Sequence, residues 1–350
     1  GAGNMDDWAL LRAAADPSFR GALATVASSA GHAYRKAGAA MLLHADGRRT
    51  GCISPGCVED DLQQRAERLA GRRTYELVTY NLDPDEDPVW GGELGCGGAI
   101  TVLLEPVEGG LRRALADAWA RVRTGEAVRL ARFPAGGTIR HAVVPLRPNA
   151  GPSSGQSGET GALPSSVFLP RPRLIVFGAG SDSPPICDTA ARIGFRVTVA
   201  DWRDHLLTPD RFPLAESFAA GADGAELAET LGIGPDDYVL LCSRHLRRDR
   251  GVLEAALPRK PVYIGILGSR KRAAALMDGL PADERVRAPV GLPIGAVGPD
   301  EIAVSIAAEL VAVRSARRKA LGKEATRDAN TGDLPGGRPR IAAGSGETRG

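Results

Sequence analysis

Two rhythms of apolar and polar residues run along this chain. Up to about Arg147 the apolar runs are short and mixed in kind. The spacing predicts an opening helix around Trp8, Leu10 and Leu11, then strands at 23–28 and 39–43, and a returning strand at 49–54. Asp46-Gly47 between the last two is a hairpin signal. Val58, Leu62, Ala66 and Leu69 recur at helical spacing, with acids in the first turn where the helix dipole favours them. Further strands are expected at 75–79, 100–104, 127–133 and 138–146, with an amphipathic helix at 111–122.

Residues 148–166 contain almost no large apolar side chain before Leu163 and read as a flexible connector. After it the rhythm changes to continuous apolar runs separated by helical stretches. Strands are expected at 174–177, 196–200, 216–219, 238–242 and 261–267, with helices from Pro184, at 224–231, 252–257, 268–277 and 302–313. Such alternation predicts a parallel, doubly wound sheet whose ligand crevice lies at the carboxyl ends of its strands. The fold expected is therefore α/β: an N-terminal mixed α+β domain over 5–147, then a Rossmann-like domain over 167–322. The stretch 323–350, rich in Gly, Arg, Pro and Thr, is expected to be disordered.

The second half is organised around residues 173–201, RLIVFGAGSDSPPICDTAARIGFRVTVAD. A buried strand turns at Gly178-Ala179-Gly180, a helix follows, and the next strand ends in Asp201, 23 residues after Gly178. That order is the one in which a dinucleotide's pyrophosphate meets the glycine turn and an acid meets the ribose. The third glycine of G-x-G-x-x-G is Ser183, read as a helix N-cap ahead of Pro184. Asp182 sets a carboxylate where a pyrophosphate would sit and would repel it. A nicotinamide enzyme using Gly178, Gly180 and Asp201 is thus one reading; a bare structural βαβ unit is another.

Three strand-end loops should share the crevice: 178–183, 243–249 and 268–272. The last offers free N–H groups with Ser269, Arg270 and Lys271, which suits a phosphate, although solvated surface charges would look the same. His245 and Asp249 are candidate hydrogen-bonding groups, with a plain solvated loop as the alternative.

Composition narrows the function classes. The chain has 350 residues, 43% hydrophobic and 25% charged, enough for two globular domains. A net charge of +2 and only 5% aromatics argue against a nucleic-acid surface. No apolar stretch approaches the ~20 residues of a membrane helix and no signal-peptide core opens the chain, so a soluble cytoplasmic protein is expected. Gly1-Ala2-Gly3-Asn4 ahead of Met5 reads as a cloning remnant. The five cysteines, Cys52, Cys57, Cys96, Cys187 and Cys242, include no C-x-x-C pair, so free thiols are expected and a structural zinc site is not. Cys57 precedes a helix N-terminus and Cys96 lies among glycines. Each is either a small buried hydrophobe or an uncovered thiol suited to a soft ligand.

Several blocks, in order, resemble the XdhC/CoxI family, accessory factors of molybdenum hydroxylases such as xanthine dehydrogenase. They are AYRKAGAAML, GCISPGCVEDD and LGCGGAITVLLEP in the first half. In the second they are LIVFGAG, RVTVADWR, DRFP, YIGILGSR and APVGLPIGAVGPDEIAVSIAAELVAVR. The resemblance spans roughly residues 20–315. It implies a chaperone rather than a catalyst, one that binds molybdenum cofactor (molybdopterin) and protects it while a cysteine desulfurase supplies the sulfido ligand. The cofactor then passes to the apo-form of the molybdenum hydroxylase. It also implies Cys57 and Cys96 near the molybdenum, where soft thiolates belong, and Arg35, Ser269 and Arg270 at the pterin phosphate. A homodimer stays open. The chain departs from the family's pattern at Ser181-Asp182 after GAG, at Cys242-Ser243-Arg244-His245, and at Pro55 before Gly56-Cys57. Alternatives are an NAD(P)-dependent oxidoreductase, or an interaction scaffold in which Cys57→Ala and Cys96→Ala would change nothing.

Overall fold

The structure, a computed structural model, describes residues 4–31, 37–54, 57–72, 74–81, 98–146, 163–221 and 223–330. Its side-chain description leaves out 4–6, 30–31, 57, 98 and 321–330.

In the first half the chain runs α1 (Asn4–Ala14), β1 (Gly21–Gly31), β2 (Ala40–His44), β3 (Arg49–Gly51), α2 (Cys57–Leu69), β4 (Glu76–Asn81), β5 (Gly98–Pro106), α3 (Gly109–Val122), β6 (Val128–Ala135) and β7 (Thr138–Pro145). The first five strands form one antiparallel sheet in the order β3-β2-β1-β5-β4. Both faces of β1 are covered, which explains its apolar run. Ala22, Ala24 and Val26 pack with Val58 and Leu62 of α2, while Leu23 packs with Leu10 of α1 and Leu111 and Leu115 of α3. Gly47, at φ +84°, makes the hairpin turn read from Asp46-Gly47.

The connector meets the N-terminal unit rather than leaving it. β8 (Ser166–Phe168) pairs antiparallel with β6, giving a small sheet ordered β7-β6-β8. Phe168 is buried against Val128 and Leu130. The sequence reading ended the connector at 166 and began the second domain at 167; three residues are too few to show a period of two.

The second half continues with β9 (Arg173–Phe177), α4 (Ser183–Arg192), β10 (Arg196–Asp201), β11 (Ser217–Ala220), α5 (Gly224–Thr230), β12 (Tyr238–Leu241), α6 (Leu246–Ala256), β13 (Tyr263–Ile266), α7 (Arg270–Met277), β14 (Val286–Arg287) and α8 (Pro299–Asn330). All six strands are parallel, ordered β11-β10-β9-β12-β13-β14. Numbered within the domain this is 3-2-1-4-5-6, the doubly wound order expected of a Rossmann domain, with its switch point between β9 and β12. Helices α4 and α8 cover one face and α5, α6 and α7 the other. Buried on both sides, the strands read as unbroken apolar runs.

Three boundaries differ from the sequence reading. α6 begins at Leu246, six residues early, because Gly251 sits inside it. A Cβ on Gly224 would lie 2.5 Å from Gly251 O, so α5 and α6 meet backbone to backbone. Asp182, not Ser183, is the N-cap of α4. And α8 runs through 323–330, assigned above to a disordered tail, because the arginines, alanines and lysines after Val313 are good helix formers. Residues 331–350 lie outside the described residues. No described helix is long and apolar enough to cross a membrane.

Candidate functional site

The crevice forms where β9, β10, β12 and β13 end. Three of these four loops carry a buried carboxylate, Asp182, Asp201 and Asp249, and each of the three is held by an arginine. Asp201 is fully buried. Its Oδ2 accepts the Ala179 amide at 2.6 Å and Arg203 Nη2 at 2.8 Å; its Oδ1 accepts the Arg203 amide at 2.8 Å and Nε at 3.0 Å. Burial works against ionisation here, but the hydrogen bonds from Arg203 and Ala179 outweigh it and hold the carboxyl below its ordinary value. Asp201 therefore ties the glycine turn to the end of β10, with both oxygens engaged inside the protein rather than offered to a ribose.

Asp182 pairs with Arg244 Nη2 at 2.5 Å. Arg244 reaches it from a left-handed backbone conformation, φ +62°. The carboxylate read as a barrier to anions is thus matched by a cation. Asp249, fully buried, accepts Ser243 Oγ at 2.5 Å and is paired with Arg272. Burial raises its pKa, and Ser243 and Arg272 oppose the rise. Arg272 also donates to Arg244 O at 3.4 Å, so the 243–249 and 268–272 loops are fastened together.

With the carboxylates matched, charge remains at the start of α7. Arg270 and Lys271 are exposed and have no ion-pair partner among the described residues. Ser269 caps α7, its Oγ accepting the Arg272 amide at 3.3 Å. N–H groups at a helix start with two exposed cations beside them are chemistry suited to an anion.

Gly178 and Gly180 prove unlike. Gly178 has φ +117°, and a Cβ there would lie 2.5 Å from Ser243 Cα and 2.6 Å from Cys242 C. It lets the turn lie on the end of β12. Gly180 has none of the described residues within 4 Å of its Cβ position. Ser183 fills the third glycine's place, fully buried, its Oγ donating to Gly178 O. His245 is exposed and caps α6, its Nδ1 accepting the Arg248 amide at 3.4 Å. Its ring meets the edge of Trp202 at 5.6 Å, and the Arg203 and Arg248 guanidinium groups each lie 4.4 Å from the centre of that indole. Asp249, read with His245 as a candidate hydrogen-bonding group for a ligand, is engaged by Ser243 and Arg272.

Of the thiol loops, the structure describes the approach to Cys57 but not its side chain; Cys96 and Arg35 lie outside the described residues. Cys57 is the first residue of α2. Glu59, two residues on and buried, accepts the amides of Ile53 and Ser54, each at 3.1 Å. The acid of GCVE thus fastens Ile53 and Ser54 to the first turn of α2, the helix that begins at Cys57. Cys52 Sγ donates to Ser54 O at 2.9 Å, and Cys187 and Cys242 are buried free thiols. Burial raises the pKa of Cys187, and it pushes Cys242 up to about 12. Among the described residues no group of three or more His, Cys, Asp or Glu could hold a metal ion.

Sequence reasoning missed Arg203, Arg244 and Arg272 as partners of the crevice acids, although the arginine two residues after Asp201 was visible in RVTVADWR. It also missed a network beneath the N-terminal sheet. Glu105, of the LLEP block, is buried and receives Arg132 Nε at 2.7 Å and His141 Nε2 at 2.7 Å. Arg132 reaches on to Thr25 Oγ1 at 3.1 Å and Pro164 O at 2.7 Å, joining β1, β5, β6, β7 and the connector. A glutamate closing an otherwise apolar strand was the available signal.

Comparison with known proteins agrees with this architecture. Residues 174–310 match the family described as the XdhC Rossmann domain, and residues 16–81 match the XdhC and CoxI family. The chain is 32% identical over 331 residues to a probable xanthine dehydrogenase subunit of Bacillus subtilis, covering 87% of this chain and 96% of that protein. It is 27% identical over 319 residues to the molybdenum cofactor insertion chaperone PaoD of Escherichia coli, covering 88% and 89%. The crystal structure of a xanthine dehydrogenase from Bacillus halodurans superposes with a TM-score of 0.79 at 32% identity, covering 90% of this chain and 97% of the other. Similarity of that extent, running through both units, places the chain in the XdhC and CoxI family.

Proposed function

We propose that this protein is a maturation factor for a xanthine dehydrogenase-type molybdenum hydroxylase. It takes molybdenum cofactor as cargo, holds it while a cysteine desulfurase supplies sulfur, and releases it to the apo-enzyme. One observation carries the reading. The three crevice acids are each matched by an arginine, so Arg270 and Lys271 at the start of α7 give the crevice mouth an uncompensated positive charge. A pterin phosphate belongs there, with Ser269 ordering the turn. The name of the relative PaoD, a cofactor insertion chaperone, favours the same cargo. In this reading Cys57 and Cys96 approach the molybdenum as soft ligands and Arg35 joins the phosphate. A homodimer is compatible with it.

The competing oxidoreductase reading needs Asp201 for a ribose, and that carboxylate already accepts from Ala179 and Arg203. Purification under reducing, anaerobic conditions, followed by oxidation of bound pterin to its fluorescent form, tests the proposal. Stoichiometric pterin supports it. A protein that neither carries nor takes up the cofactor, while its partner hydroxylase does, sinks it.

A further inference from the structure

The crevice occupies the carboxyl ends of the parallel strands; a second cleft lies at their amino ends. Its volume is about 520 Å³, and it is bounded by the starts of β9, β10 and β12, the 124–127 turn after α3, and α8. Six guanidinium groups line it: Arg171, Arg173, Arg196, Arg314, Arg317 and Arg318.

Carboxylates answer most of these charges from the rim. Asp237 takes Arg173 at 2.7 Å, Asp236 takes Arg317, and Glu216 is shared by Arg171 at 3.4 Å and Arg196 at 2.8 Å. Asp7 acts on Arg318. Glu126, also lining the cleft, is drawn at 3.4 Å to Arg121. Arg314 has no carboxylate partner among the described residues. It donates to Ile193 O at 2.7 Å and lies 5.0 Å from the centre of the Phe195 ring. Burial lowers its pKa, and the like charge of Arg318 adds to the effect. Burial also lowers that of Arg171, opposed by Glu216 and reinforced by Arg196. Six guanidinium groups, most of them half-buried, thus gather around fewer carboxylates than they carry charges, and are placed for a ligand that brings an anion. The remaining wall is apolar, with Leu146, Leu169, Pro170 and Pro172 beside the arginines.

We infer that this cleft binds a phosphorylated organic molecule, its phosphate meeting Arg171, Arg314 and Arg317 and its apolar body lying against Leu146 and Leu169. The site lies at the other end of the sheet from the proposed cargo crevice and goes beyond that reading. Bound there, the ligand touches the N-terminal unit, the connector and α8 at once.

Titration calorimetry on the full chain tests this with adenosine 5′-monophosphate and inorganic phosphate, at constant ionic strength set with chloride. The expected result is saturable binding, at least about tenfold tighter for the nucleotide. Arg314→Gln and Arg317→Gln should each weaken it about tenfold or more, with unchanged circular dichroism, while Arg270→Gln leaves it intact. No saturable binding at about 10 mM overturns the inference, as do equal affinities for the two probes or loss through Arg270→Gln alone. Should the cleft variants fail to fold, photolabelling of the wild-type chain with 8-azidoadenosine monophosphate decides. Label on 169–173 or 314–318 supports the site, and label confined elsewhere overturns it.

Discussion

The Asp201 carboxylate and the Ala179 amide are joined by a 2.6 Å hydrogen bond, so the acid that ends β10 holds the glycine turn that follows β9. Because Arg203 takes the remaining acceptor positions, the two features that most resemble a nicotinamide site are turned on each other.

Asp201→Asn should therefore destabilise the fold without touching a ligand. We expect a loss of about 2 kcal/mol in urea denaturation, below the ~3–5 kcal/mol of a wholly buried pair because the Arg203 side chain is 35% exposed. The pH dependence has a definite sign. A carboxyl whose folded pKa lies below its unfolded value stabilises the protein above about pH 4, and that stability is lost as pH falls through the folded value. The variant should lose this part of the acid limb.

Wild-type protein should show no change in NADH fluorescence up to about 1 mM cofactor, a level that would reveal any affinity better than about 4 kcal/mol. A saturable change below that concentration favours the oxidoreductase reading.

Gly178→Ala and Gly180→Ala should separate packing from binding. The first places a Cβ 2.5 Å from Ser243 Cα at φ +117° and should cost about 3 kcal/mol or prevent folding. The second meets none of the described residues within 4 Å and should change stability by less than about 1 kcal/mol. Equal losses in chemical denaturation would contradict the assignment.

Much of the fold was legible because strands buried on both faces leave unbroken apolar runs such as Leu174–Phe177, and α2 and α3 leave helical stripes. β8 escaped because three residues carry no period, and the end of α8 because a polar helix looks like a polar tail. The site was half legible. Glycines and acids announce a crevice in sequence, but an ion pair such as Asp182–Arg244 joins residues 62 apart, and no local pattern records it. His245 and Asp249 show the same limit: read as groups for a ligand, His245 instead caps α6 and Asp249 pairs with Ser243 and Arg272.

Glu59→Ala should loosen the loop before Cys57. It removes the acceptor of two amides, so a loss of about 2 kcal/mol is expected, while Glu59→Gln, which keeps an acceptor oxygen, should lose less than half of that. Hydrogen exchange at Ile53 and Ser54 reads it directly, and unchanged exchange in the alanine variant would count against the role.

Thiol titration at about pH 8 should leave at least Cys187 and Cys242 silent in the native protein, since burial raises both pKa values. All five cysteines of the chain should react once urea unfolds it. Five equally fast thiols in the native state would contradict the burial.

In the proposed function the crevice mouth takes the phosphate of the cofactor. The most direct measurement of this is equilibrium binding of isolated molybdenum cofactor, under anaerobic conditions, to wild type and to the Arg270→Gln/Lys271→Gln double variant. Both side chains are exposed, so the variant should fold normally. Stoichiometric binding by the wild type is expected, weakened about tenfold or more in the variant. Equal affinities for the two proteins would contradict it.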